Sequence, residues 1–573
     1  MTHPVPAIVI LGDGSLATAR EIQRLLPGAL IHGLSGRVED VDVIYHEFGS
    51  TLRELYQQNT PIIALCAAGI VIRTLAPLIL EKGAEPAVLA VAEDGSAVVP
   101  LLGGLGGVNV LARDIAQGLG VAAAITTSGE LRFGTCLLNP PKGYALGDLE
   151  LGKRFVSDLL GGEPVRIEGD APWLAQAQLL QDQQANLAIH VGSAEREPVA
   201  NELLIYPKSV LALVSAETAD LADAIRQALQ QAKIAVQSLA CLLASDQQMA
   251  NQALRDAADE LGVPLRFSAA GSVSDTINGA IGSSSAVHRH NGITVAVAEH
   301  PLDPLLIGRP RGRLAVIGLG PGAADLMVPA VKAELARAND VLGYETYVRM
   351  AGPFRADQIL HCTDNREEMQ RARHAFELAA QGRCVVVVSS GDPGVFAMAA
   401  AVLEALHESS DPAWHNVDLE ILPGVSASLA TAAQAGAPLG HDFCVLSLSD
   451  NLKPWAIIEK RLDLAAQADL AMAFYNPISR SRPWQLGRAL EIVAQHRTPE
   501  TPVVLGRDIG RPGQTLRVTT LGQLTPDQVD MRTMVLIGSS TTRVFPRAEG
   551  LPWVYTPRSY GDQLLDIAKP MID

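Results

Sequence analysis

The chain has 573 residues, 48% hydrophobic and 19% charged, with a formal net charge of −17. That length exceeds what one hydrophobic core organises and predicts about three or four domains. The acidity repels polyanions, which argues against a nucleic-acid or anionic-membrane partner. No apolar run reaches the ~18 residues of a membrane span. The opening Met1–Pro6 lacks a basic stretch followed by an apolar one, so a cytoplasmic protein is expected. Aromatics are 4% while Ala, Leu, Val and Gly abound, the balance of an α/β protein with buried parallel strands. The cysteines at 66, 136, 241, 362, 384 and 444 show no metal-ligand spacing, so reduced thiols and no metal site are expected.

In the front half, short apolar runs alternate with helical patterns. Ala7–Leu11, Val41–Tyr45, Pro61–Leu65 and Ala122–Thr126 read as strands, with helices over Ala17–Leu26 and Asn109–Leu119. The segment Gly12-Asp-Gly-Ser-Leu-Ala17 fits the dinucleotide pattern G-x-G-x-x-A. No acidic residue closes a following strand at the distance a ribose needs, so a tight strand-to-helix turn is expected there. Breaks fall at Asn139–Gly143 and Tyr206–Lys208. Beyond them Val210–Val214 reads as a strand, and Leu221, Ile225, Ala228, Leu229 and Ala232 line one helix face. A second helix is expected from Ser245, whose spacing to Gln248 fits a capping box, with the stripe Met249, Ala253, Leu254, Ala257 and Leu261. Gly292–Ala298 closes this half as a strand before the Pro/Gly/Arg punctuation of Arg309–Arg313, which reads as a linker. The expected division is 1–138, 139–208, 209–308 and 313–573.

Three segments, Ala64–Arg73, Leu101–Asn109 and Ile125–Thr127, make the front half resemble the cobalt-precorrin-5A hydrolase family over roughly residues 5 to 300. Members of that family open a lactone and release a two-carbon fragment from a ring-contracted corrin intermediate. The chain departs from the family pattern in three places. Gly103-Gly-Leu-Gly-Gly107 is one residue shorter than the usual segment and lacks its histidine. Ser128-Gly-Glu130 replaces the usual acidic and asparagine-bearing continuation, and Ser215-Ala-Glu-Thr218 replaces a glycine-cysteine-arginine turn. Lactone hydrolysis needs an activated water and a stabilised oxyanion. Retained glycines without the polar side chains predict a scaffold that has lost this chemistry, inactive or kept as a corrinoid-binding module.

From Leu314 an apolar run leads into Gly318-Leu-Gly-Pro-Gly322, a strand–turn–helix signal that also fits G-x-G-x-x-A through Ala323. Val388-Ser-Ser-Gly-Asp-Pro-Gly-Val-Phe396 and Leu422-Pro-Gly-Val-Ser-Ala427 follow in order. With these segments the last 260 or so residues resemble the tetrapyrrole (corrin and porphyrin) methyltransferases that use S-adenosylmethionine. Gly343–Val348, Gly440–Cys444 running into Ser447–Asp450, and Phe474-Tyr-Asn-Pro477 make the precorrin-3B C(17)-methyltransferases of cobalamin synthesis the most similar branch. The resemblance implies a fold of two α/β subdomains with S-adenosylmethionine folded in the cleft between them. It also implies methylation at carbon 17 coupled to ring contraction, with the meso carbon leaving as an acetyl group.

Carried over onto this sequence, Ser390, Gly391, Asp392, Val395 and Phe396 match the loop holding the cofactor. Ser426 and Ala427 match a small pair beside its methionine portion, and Pro321 a further wall, with Tyr475 contributing from the Phe474–Pro477 motif. Many relatives have Asp where this chain has Ala323, so no catalytic carboxylate is expected there. Ring contraction needs a hydroxyl proton removed, and His441 and Asp442 are the candidate base. Gly320, Gly322, Ser447 and Asp450 are candidates for gripping the macrocycle. Arg480, Arg482, Arg507 and Arg511 offer guanidinium forks for its carboxylates. The resemblance further implies a homodimer, with transient contacts to other enzymes of the pathway. The competing readings are a bifunctional cobalt-early methyltransferase–hydrolase, a front half that only binds corrinoids, and a nucleotide-dependent oxidoreductase that accounts only for the two glycine turns.

Overall fold

The computed structural model describes residues 5–26, 28–79, 85–215, 220–281, 286–355, 357–364, 367–479 and 481–559. The chain separates into two compact units that meet in sequence at Gly312/Arg313, the short segment Pro353–Gln358 grouping with the first.

The first unit contains three sheets. Its six-stranded sheet runs Val43–Tyr45, Leu30–Leu34, Ala7–Ile10, Ile62–Leu65, Val88–Val91 and Val98–Leu102, parallel except at the last strand. Fully buried runs such as Ala7–Ile10 and Ile62–Leu65 explain the continuous apolar stretches, since helices cover both faces. Ala122–Thr126 is not a strand; Ala123 makes only an isolated bridge to Val98. Gly12–Ala17 turns through Asp13–Ser15 into the helix Leu16–Leu25, and the Glu93 carboxylate lies over Gly14, where a phosphate would have to sit. A four-stranded sheet then runs Tyr144–Leu146, Glu202–Pro207, Leu187–Val191 and Val165–Glu168. The five-stranded one runs Leu265–Ser268, Leu239–Ser245, Val210–Val214, Ile293–Val297 and Ala286–His290. Ser245 caps only a short turn, because its hydroxyl accepts from Gln247 N; the helix Gln252–Leu261 starts later, capped by the Asn251 side chain. Nearby backbone geometry, not the box spacing, sets the start.

His32, on the strand Leu30–Leu34, has Nδ1 buried without a hydrogen-bond partner. Burial pulls its imidazole from 6.5 down to about 4, and Asp42 opposes this only in part. The unfolded chain therefore takes up the proton first as the pH falls. Stability is whole above pH 6.5 and declines until the folded group titrates near 4. Denaturant titrations of the wild type should show a loss on the order of 2–3 kcal/mol across that window, and His32→Leu should flatten it.

The second unit has two α/β layers. Its first sheet is all parallel, in the order Ile359–Thr363, Asp340–Tyr344, Cys384–Ser389, Arg313–Gly318 and Asp418–Leu422. Val385–Val388 is buried throughout, and behind the sheet Phe376 stacks on Trp414 with centroids 5.1 Å apart. The second sheet runs Phe443–Ser447, Ala471–Tyr475, Thr533–Ile537, Pro502–Arg507 and Thr515–Thr520, its first pair parallel and the rest antiparallel. Gly436–Ala437, Trp553–Tyr555 and Arg543–Phe545 form a small third sheet. Among the described residues no helix is long and apolar enough to cross a membrane.

Candidate active site

Three loops leave the carboxyl ends of neighbouring parallel strands in the first sheet of the second unit, the position where open α/β sheets bind ligands. They are Gly318–Gly322, Ser390–Phe396 and Pro423–Ser426. Gly320 and Gly391 pair as an antiparallel bridge, Gly320 N donating to Gly391 O at 3.1 Å and Gly391 N to Gly320 O at 2.8 Å. Both are in the left-handed region, at φ +74° and +68°. A side chain at Gly424 would collide with Gly391 O and lie 2.7 Å from Gly318 O. The loops thus touch backbone to backbone, which only glycine permits. A Cβ at Gly391, in contrast, meets nothing nearer than 3.6 Å, an ordinary contact with the backbone of Ser426 and Ala427.

Asp392 locks this arrangement. One carboxylate oxygen accepts from Gly394 N at 2.8 Å and the other from Gly424 N at 3.0 Å. Its carboxylate braces two loops, where sequence reasoning had it facing a ligand. Val395 N closes the turn on Asp392 O. Phe396 follows at φ +54°, a costly conformation for a bulky residue, and its half-exposed ring meets Tyr475 edge-on at 5.5 Å. The Tyr475 hydroxyl accepts from Ser428 N at 3.2 Å and lies 3.1 Å from Ser428 Oγ. Ser426 Oγ caps the helix Ala427–Ala435 and touches Ser428 Oγ. Cofactor candidates from both layers of the unit are therefore contiguous: Pro321, Ser390–Phe396, Ser426, Ala427 and Tyr475.

The arginines behave differently from expectation. Arg511 Nε donates to Pro321 O at 3.0 Å and Nη2 to Ser390 Oγ at 3.1 Å, and its stem packs over Gly322. It ties the second layer to two cofactor-loop candidates, where a carboxylate clamp was expected. Gly320 likewise spends its backbone groups on Gly391. Arg507 is paired with Asp508 and Asp530. Arg482 donates to Asp450 Oδ1, Ser449 Oγ and Asn451 Oδ1, while Ser447 Oγ accepts from Asn476 Nδ2. Burial alone would raise the Asp450 carboxyl, but hydrogen bonds from Arg482 and Gln485 outweigh it and hold the group below its usual range. Arg480 lies outside the described residues.

His441 and Asp442 are not brought to this cleft. They precede Phe443, at the amino end of the strand whose carboxyl end carries Ser447, next to Ala471 at the start of Ala471–Tyr475. Four strand residues separate the ends, about 13 Å. His441 Nδ1 accepts from the Asp442 N–H at 2.7 Å, and the Asp442 side chain is 85% exposed. The motif's alternation carries Ser447 to the site and leaves its first residues behind. His441→Ala should leave S-adenosylhomocysteine affinity within about twofold and kcat within about threefold of wild type, read by calorimetry and initial rates. Burial pushes the thiol of Cys444, inside the same motif, up to about 11, which disfavours the thiolate.

Sequence reasoning missed Ser428, Asn476, Gly424 and Tyr347. Gly424, Asn476 and Tyr347 lie within quoted motifs but had no distinguishing residue type, and Ser428 stands one residue beyond Leu422–Ala427. Tyr347 is partly buried near Arg511; desolvation raises its phenol and the guanidinium opposes.

In the first unit Asn109 Nδ2 donates to Thr127 Oγ1 at 3.0 Å and Glu130 Oε1 at 2.6 Å, while Arg113 donates to Glu130 Oε2 at 2.5 Å. Both oxygens of this buried carboxylate are engaged. Of Ser215–Thr218, residues 216–218 lie outside the described residues.

Residues 313–525 match the family of tetrapyrrole (corrin/porphyrin) methylases. Residues 50–130 match the cobalamin synthesis G N-terminal family and 214–301 its C-terminal counterpart. The second unit is 50% identical over 249 residues to a precorrin-3B C(17)-methyltransferase from Sinorhizobium, covering 44% of this chain and 97% of that protein. It is 40% identical over 247 residues to a probable cobalt-factor III C(17)-methyltransferase from Salmonella typhimurium, covering 43% of this chain and 99% of the relative. Among solved structures, the methyltransferase CobJ matches at 53% identity and a TM-score of 0.41, over 43% of this chain and all of that one. The second unit is therefore a methyltransferase. The chain belongs to the tetrapyrrole methylase family, in its C(17)-methyltransferase branch, with cobalamin-synthesis-G segments fused ahead of it.

Proposed function

We propose that the chain methylates precorrin-3B at carbon 17 with ring contraction to precorrin-4, using S-adenosylmethionine. The observation that carries this reading is the 50% identity to the Sinorhizobium precorrin-3B enzyme over nearly its whole length, against 40% to the cobalt-factor III relative. Small groups support a folded cofactor at this place: Gly391 stands beside Ser426 and Ala427, with Phe396 and Tyr475 as a wall. The cofactor supplies an electrophilic methyl group. The chain's own part is alignment and exclusion of water, which suffices for an in-line displacement. Gly320, Gly391 and Gly424 shape the floor, Asp392 fixes it, and Arg511 holds the second layer over it. Ser447, Asn476 and Asp450 mark the side where the macrocycle lies.

For the front half we infer a corrinoid-binding or inactive scaffold, on the ground that Gly103–Gly107 has no histidine and that Glu130 is saturated. The division 1–138, 139–208, 209–308 and 313–573, a cytoplasmic location and homodimerisation belong to the same reading. A bifunctional cobalt-early enzyme is the alternative favoured by the two cobalamin-synthesis-G matches. Product mass spectrometry decides between them. Methylation of metal-free precorrin-3B, without acetaldehyde release from cobalt-precorrin-5A, is the expected result. Methylation of the cobalt substrate together with acetaldehyde release would replace it with the alternative.

A further inference from the structure

Among the described residues, the arginines expected to receive substrate carboxylates are committed elsewhere: Arg482 to Asp450, Arg507 to Asp508 and Asp530, Arg511 to Pro321 and Ser390. One cation beside the cleft is differently placed. Lys453 Nζ lies 6.0 Å from the centroid of the Phe396 ring, whose edge meets Tyr475. That separation is the outer limit of a cation–π contact and contributes little by itself. Burial and the like charge of Arg461 both pull the ammonium below its ordinary pKa, and no carboxylate among the described residues pairs with it.

The loop presenting this lysine is braced on both sides. Upstream, Arg482 binds the side chains of Ser449, Asp450 and Asn451. Downstream, Trp455 packs edge-on against Trp484 at 4.8 Å. A partly buried cation held by two anchors, without an internal counter-ion, is arranged for an anion that arrives from outside.

We propose that Lys453 is the carboxylate-binding cation of the methyltransferase cleft. This rests on the methyltransferase reading and adds a residue to it. The carboxylate has two possible sources with one chemistry, the acid side chains of the tetrapyrrole and the amino-acid end of the cofactor.

Calorimetry with S-adenosylhomocysteine and steady-state kinetics with the tetrapyrrole separate them, using the full chain and the variants Lys453→Gln and Lys453→Arg. The Gln variant should weaken one of the two, tetrapyrrole KM or S-adenosylhomocysteine Kd, by about ten- to a hundredfold, the range of a charge-assisted hydrogen bond. The Arg variant should recover most of that loss, and kcat at saturation should stay within about threefold. A raised KM alone assigns the macrocycle's carboxylate, and a raised Kd alone the cofactor's. If both stay within about twofold of wild type, or if only kcat falls and Arg does not rescue it, the assignment is overturned. A wild-type chain that fails to bind S-adenosylhomocysteine would instead bring down the methyltransferase reading, and this assignment with it.

Discussion

Gly424→Ala is expected to abolish measurable S-adenosylhomocysteine binding, with affinity lowered at least ~100-fold and the second unit destabilised by about 3 kcal/mol. The added methyl has no room: it meets the Gly391 carbonyl oxygen and lies 2.7 Å from that of Gly318, both on loops that shape the cleft. Backbone cannot rotate aside as a flexible side chain would, so one loop must move. Gly391→Ala is the matched control for stability alone, because Gly391 itself lines the proposed cofactor cleft. There the new methyl finds space, the nearest atom being 3.6 Å away, and the cost is the left-handed φ of +68°. That penalty is about 1 kcal/mol, so the fold should survive. Thermal melts of the two variants provide the comparison, and calorimetry of Gly424→Ala against wild type reads the loss of binding. Equal, mild effects would mean that the loops do not close on one another.

Asp392→Asn should raise the S-adenosylhomocysteine Kd by about ten- to a hundredfold although its shape is unchanged. The carboxylate accepts from Gly394 N and Gly424 N with different oxygens. An amide supplies one acceptor and turns its NH2 toward the other backbone donor, leaving two donors face to face. Asp392→Ala, which removes both acceptors without adding a donor, should cost a similar amount. Retained affinity in both variants would show that Asp392 does not brace the loops.

The glycine turn at Gly318–Gly322 was legible in the sequence because its chemistry is local, whereas Asp392, Ser426 and Tyr475 were named only through the family resemblance. A strand, a glycine-rich turn and a helix start can be read off a few consecutive residues. The arginines were not legible, since a guanidinium's partner is chosen by the fold: Arg511 reaches Pro321 and Ser390, 190 and 121 residues away. His441 and Asp442 misled for a related reason. A motif that runs along a strand spans both ends of a sheet, so neighbours in sequence can stand about 13 Å apart. Lys453 has no periodic or motif signal and became visible only through Phe396 and Arg482. In the front half, Ala122–Thr126 carried strand composition but lacked a ladder partner, and packing outweighed propensity.

The most direct test of the central claim is photochemical cross-linking of S-adenosylmethionine to the full chain, followed by peptide mapping. The cleft described above predicts label in peptides containing Ser390–Phe396, Gly424–Ala427 or Tyr475. Label confined to the first unit, above all at the Gly12–Ala17 turn, would contradict it.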